Sequence, residues 1–159
     1  MATSIQSTEQ RERFDAIEQM IVSQLPAAEV RTKHDFTPGL YIRTTFVAAG
    51  TLFTSYIHKT EHPFVLASGT AKVYIDGIGW ETIQAPYMGI TKPGTRRLVV
   101  GITDTVCTTF HPTDLKDVDA IEAELYEDHT EHLAGLTHPK LEPIHAAQLA
   151  SAAGTLTGV

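Results

Sequence analysis

One cysteine in 159 residues, and only 12 Lys and Arg against 19 Asp and Glu, set the first limits on this chain. A single thiol, Cys107, excludes an intramolecular disulfide and fits a reducing compartment. Inside an apparent strand it reads as a buried structural side chain. Basic residues form no cluster beyond the pair Arg96-Arg97. With a net charge of −7, the surface offers phosphate backbones too few cations to replace their counterions. Nucleic acid is therefore not expected as a partner. No apolar run reaches the roughly 18 residues of a membrane-spanning helix. The first residues show no basic patch followed by an apolar stretch, so a secretion signal is not expected either. No nucleophile has a base partner visible in the sequence.

An apolar share of 42% is enough for a real core, and the length suits one domain with appended segments. The chain divides into three zones: 1–29, 30–111 and 112–159. In the first, Phe14, Ile17, Ile21 and Leu25 recur at three- and four-residue steps and predict one amphipathic helix over about 8–25. Ser7 with Gln10 resembles a capping box, and Pro26 stops the helix. This helix either packs on its own domain or serves as an arm against a neighbouring subunit.

The middle zone predicts short strands at 40–47, 51–57, 64–67, 71–75, 80–83, 97–101 and 105–110, rich in Val, Ile, Thr and aromatics. Turn signals separate them, among them Gly50, Gly69, Asp76-Gly77 and Pro93-Gly94. Short, evenly spaced strands without intervening helices predict an antiparallel sandwich or barrel. The last zone predicts a helix starting near Pro112-Thr113-Asp114, with Leu115, Val118, Ile121 and Leu125 as its apolar stripe. Beyond it come His129, His132, His138, His145 and the Ala/Gly/Thr-rich residues 146–159, which offer little to bury. The His129–His132 spacing reads as a solvated segment.

Gly50, Tyr56, His58, His62 and Gly69 form the pattern G-x5-Y-x-H-x3-H-x6-G. It resembles the first motif of the cupin superfamily, G-x5-H-x-H-x3-4-E-x6-G, with Tyr56 in place of a His and His62 in place of the Glu. Pro93-Gly94-Thr95-Arg96-Arg97 resembles the second motif, with Arg97 at the place of a third His. His58-Lys59-Thr60-Glu61-His62 followed by Pro93-Gly94-Thr95-Arg96-Arg97 is, in addition, similar to small cupin proteins of tailed bacteriophages. The resemblance implies an all-β fold, a cupin double-stranded β-barrel (jelly roll) with an N-terminal and a C-terminal helix. It also implies that Tyr56, His58, His62 and Arg97 share the barrel interior. Period-2 alternation on the 51–57 strand places Tyr56 and His58 on one face with Leu52 and Thr54.

Three chemistries follow from that set. His58 and His62, with His111 as a third imidazole, are the candidate ligands of one divalent metal ion. Against a metal stands Arg97, which cannot ligate and stays charged. Arg97, two imidazoles and a phenol can instead hold a carboxylate, phosphate or sugar. Alternatively, the tyrosine and histidines satisfy one another's hydrogen bonds in a closed core. A metal site predicts occupancy that falls as pH drops through about 6.5, and an anion site predicts affinity that rises. The expected function is a virion or assembly component, present in the virion or host cytoplasm. It would homo-oligomerise through its terminal arms and meet other phage structural proteins. A metal-dependent isomerase or dioxygenase is the alternative.

Overall fold

The computed structural model describes residues 7–24, 30–75 and 78–127. Helix α1 spans Thr8–Gln24. Nine strands follow: β1 (Arg31–Thr37), β2 (Leu40–Val47), β3 (Leu52–Thr54), β4 (His62–Ser68), β5 (Thr70–Ile75), β6 (Gly79–Gln84), β7 (Tyr87–Thr91), β8 (Arg97–Gly101) and β9 (Thr105–Pro112). Helix α2 covers Val118–Leu125. The strands form two antiparallel sheets, one ordered β1-β2-β9-β4-β7 and the other β3-β8-β5-β6. The histidines at 129, 132, 138 and 145, the residues 146–159, the turn Asp76-Gly77 and the predicted helix stop Leu25-Pro26 lie outside the described residues.

Alternation along β8 assigns the faces of the smaller sheet. Leu98 and Val100 join Leu52, Tyr74 and the α1 residues Phe14, Ile17 and Ile21 in one buried cluster. Arg97, of opposite parity, donates to Thr91 Oγ1 in the larger sheet at 3.1 Å and lies over the Phe64 ring. One face thus meets α1 and the other looks into the space between the sheets. The predicted stripe of α1 is therefore spent on the chain's own sheet. Ser7 and Gln10 do form the expected reciprocal cap, at 2.7 and 3.2 Å.

Arg96, just before β8, points to the helix side. It is 1% exposed and pairs with Glu18 at 2.5 Å and Asp15 at 2.8 Å. Thr54 donates to the same Glu18. This overturns the alternation expected from Leu52 to His58. Leu52 and Thr54 face α1, the strand stops at Thr54, and Ser55–Ile57 run outside regular structure. His58 rejoins the fold through an isolated bridge to Tyr126, so its direction is set afresh.

Gly69 shows why one turn residue is fixed. Its φ is +87°, and a Cβ there would stand 2.1 Å from the Asp104 carbonyl oxygen. A side chain would have to push the 103–105 turn away from the β4–β5 corner. Helix α2 begins later than expected, with Asp117 as N-cap accepting from Ala120 N at 2.9 Å. Pro112 ends β9 instead, and Leu115 is left exposed. Ile121 and Leu125 bury themselves with Tyr41 and Tyr126.

Candidate ligand site between the sheets

In the larger sheet, register lines up one row across four strands. Thr91 of β7 pairs with His62 of β4, and His111 of β9 pairs with Tyr41 of β2. His62 and His111 bring their ring centroids to 4.4 Å. His58 closes over them, 4.3 Å from His62 and 6.1 Å from His111. These imidazoles are 9%, 2% and 0% exposed for His58, His62 and His111. In the next row, Arg43 pairs with Thr109 and Thr109 with Phe64, over which Arg97 lies.

His58, His62 and Arg97 thus share one space. Tyr56 sits at its rim, 41% exposed and stacked on Tyr126 at 4.5 Å. Two residues of this site were missed from the sequence. Arg43 donates to the Tyr126 hydroxyl at 2.5 Å, and Tyr126 presents its ring edge to His58 at 5.0 Å. Main-chain bonds pin Tyr126 there: Lys59 N to Leu125 O at 2.7 Å and Glu127 N to Ile57 O at 2.8 Å. A signal for Arg43 existed, as it is the one charged residue in Leu40–Val47. Tyr126 had none, because its place depends on how α2 ends.

The histidines do not satisfy one another. His62 Nδ1 bonds the Thr60 carbonyl at 3.3 Å and His111 Nε2 the Thr109 hydroxyl at 2.9 Å. Nδ1 of His58 and Nδ1 of His111 are buried, with no hydrogen-bond partner among the described residues. Burial pushes the His58 pKa down to about 2, helped by His62, His111, Arg97 and Arg43. Burial lowers His111 to about 3, with His62 and Arg43 adding to it, and also lowers His62. All three are neutral at physiological pH. For His58 and His111 the titration near 6.5 expected from unperturbed histidine therefore moves well below that pH in the free protein.

The arrangement does not fit a metal ion. Among the described residues no group of three or more His, Cys, Asp or Glu side chains is placed to hold one. The inherited set has no carboxylate, and two guanidiniums share the space. Burial pulls both arginine pKa values down. At Arg43 the surrounding Tyr126, Tyr41 and Glu122 more than offset it, so its pKa is raised. At Arg97 burial prevails and the pKa is lowered. Burial also raises the Cys107 thiol to about 11, which keeps it protonated and unreactive.

No protein-family model matches the chain, and no curated protein matches its sequence. Solved structures do resemble it. Ectoine synthase from P. lautus aligns with a TM-score of 0.50 at 13% identity, over 72% of this chain and 93% of that one. A cupin superfamily protein from Desulfitobacterium hafniense gives 0.46 at 11% identity, over 59% and 88%. The Cupin_2 domain of an XRE family transcriptional regulator from Enterobacter cloacae gives 0.45 at 18%, over 54% and 99%. What this chain shares with such neighbours is a mostly β, antiparallel, cupin-like fold.

Proposed function

We propose that this chain is a small-molecule-binding protein built on a closed cupin jelly roll, and that it takes an anion between its sheets. One observation carries the reading. Arg43 and Arg97 face the same space, and among the described residues neither has a carboxylate within ion-pair distance. Arg43 has the Tyr126 hydroxyl and the faces of Tyr56 and Tyr126. Arg97 has the Thr91 hydroxyl and the Phe64 ring. Elsewhere the same chain gives a buried arginine, Arg96, two carboxylates. The deficit falls on Arg97, where burial prevails. A guanidinium taken out of water without a counter-charge is several kcal/mol less stable than a paired one, and a bound anion removes that deficit. Arg43, already favoured as a cation by its surroundings, adds a second donor.

Titration calorimetry with acetate and inorganic phosphate tests this. Arg97→Gln should weaken anion binding by about 10- to 100-fold, the worth of a charged hydrogen-bond pair. Affinity should change little between pH 6 and 9 through His58 and His111, because those imidazoles carry no charge there. Purified protein should contain substoichiometric metal. Absence of any binding by either anion at millimolar concentration refutes the proposal.

A second reading keeps the chain as a phage virion or assembly component. The stripes of α1 and α2 give it less support, since Phe14, Ile17 and Ile21 of the first and Ile121 and Leu125 of the second are buried within the chain itself. What supports it now is the outer side of β7, where Met88 is 71% and Ile90 52% exposed. Light scattering after size exclusion should then find a homo-oligomer that Met88→Lys/Ile90→Lys dissociates. A monomer at micromolar concentration would count against it.

A further inference from the structure

We infer that the anion is a hydroxylated acid, whose hydroxyls are taken by the imidazole nitrogens of His58 and His111; this rests on the anion reading above and narrows it. Among the described residues, Arg43 Nε, His58 Nδ1 and His111 Nδ1 are buried and have no hydrogen-bond partner. The two histidines are 9% and 0% exposed. Each of them reaches Arg43 through one intervening side chain. Thr109, whose hydroxyl bonds His111 Nε2, stands opposite Arg43 in the β2–β9 register. Tyr126, whose hydroxyl accepts from Arg43, turns its ring edge to His58. His58 also feels the charge of Arg97 as well as that of Arg43. A ligand that touches His58 therefore sits where both guanidiniums act. Unpartnered atoms gather at Arg96 and Glu18 too, but there opposite charges meet.

The state of the histidines selects the group that completes the site. Both are neutral at physiological pH and offer no charge to an acid. A neutral imidazole carries one N–H donor and one bare acceptor nitrogen. His111 spends one of its two on Thr109, a hydroxyl that serves as donor or acceptor, so Nδ1 is left in either state. A ligand hydroxyl donates one hydrogen bond and accepts two, and it satisfies a nitrogen of either kind. A carbonyl oxygen satisfies donors alone. An alkyl chain against these nitrogens would keep them out of water and unbonded, which costs more than a made hydrogen bond gains. Arg43 Nε is a charged donor and suits an oxygen of the acidic group.

Calorimetry on the full chain with glycolate against acetate, and with lactate and glycerate against propionate, decides the point. Glycerol phosphate against propyl phosphate makes the same comparison for a phosphate ligand and tells which acidic group the site prefers. In the preferred series the best hydroxylated ligand should bind about tenfold more tightly than its parent. His58→Phe and His111→Phe keep a ring and remove the nitrogens. Each should reduce that preference and the double variant should erase it, with the parent's affinity nearly unchanged. Denaturant unfolding of each variant establishes that it is folded, and the wild-type comparison stands without them. Parents binding as tightly as their hydroxylated forms in both series would overturn this inference and leave the anion reading standing. A hydroxyl preference that survives the double substitution would overturn it too. Failure of every carboxylate and phosphate, acetate and inorganic phosphate included, would overturn both.

Discussion

Taking the protein from pH 8 to pH 5 should lower its folding stability by about 4 kcal/mol through His58 and His111 alone, about 2 kcal/mol for each. Both are neutral when folded, with pKa values of about 2 and about 3, depressed first by burial. In the unfolded chain they titrate near the ordinary value of about 6.5. Below that pH the unfolded state takes up protons that the folded state refuses. Their contribution is complete above about pH 6.5 and is lost progressively as pH falls toward the folded values. His62, lowered in the same sense, adds to the loss. A stability of about 5–15 kcal/mol is ordinary for a domain, so the protein should approach unfolding in mild acid, before its carboxylates titrate. Urea midpoints at pH 8, 7, 6 and 5 measure this, and His58→Gln/His111→Gln should flatten the dependence. A wild-type midpoint constant from pH 8 to pH 5 would show that the imidazoles are not buried as described.

Arg96→Ala should destabilise the protein by about 3–5 kcal/mol, the range for breaking a buried ion pair from one side. The arginine is almost wholly enclosed and holds two acids of α1, and its guanidinium lies 5.3 Å from the Phe14 ring centre. Its removal leaves Glu18, itself 5% exposed, as a buried charge beside Thr54. The damage should be concentrated at the helix. Amide exchange in α1 should rise far more than exchange in β2 or β9. Adding Glu18→Gln to Arg96→Ala should recover part of the loss by removing the stranded carboxylate. A loss below about 1 kcal/mol, the level of a surface pair, would refute the view that Arg96 clamps α1 to the sheet.

Strands β2 and β8 were legible to the residue: β2 is dense in β-branched and aromatic residues, β8 is a short apolar Leu-Val-Val run bounded by turn signals, and both have neighbours on either side. Strands β1 and β7 were not anticipated. Both are edge strands, and the polar sequence Lys33-His34-Asp35 and the glycine in Tyr87–Thr91 give no apolar alternation. His58, His62 and Arg97 were found from spacing, which survives as long as loop lengths do. The direction of Tyr56 and its grouping with Leu52 and Thr54 were misread, because an alternation rule was carried past the point where the strand leaves its sheet. Arg43 and Tyr126 belong to the site through pairings 66 or more residues away in sequence, beyond local pattern: Arg43 with Thr109 of β9, and Leu125 and Glu127 against Lys59 and Ile57.

In the gene, Arg96 and Arg97 are adjacent codons for the same amino acid, and a reader of the sequence would take them for duplicated charge. They are not interchangeable. One fastens a helix to the back of a sheet, and the other reaches across to the facing sheet. Point changes separate the two roles cleanly. A one-codon insertion or deletion between Lys92 and Arg96 would not, because turning the strand over exchanges its faces and sends each arginine to the other's task. The length of this short turn is therefore specified as tightly as any side chain in it, and in-frame indels here should be lethal to the fold where many substitutions are not.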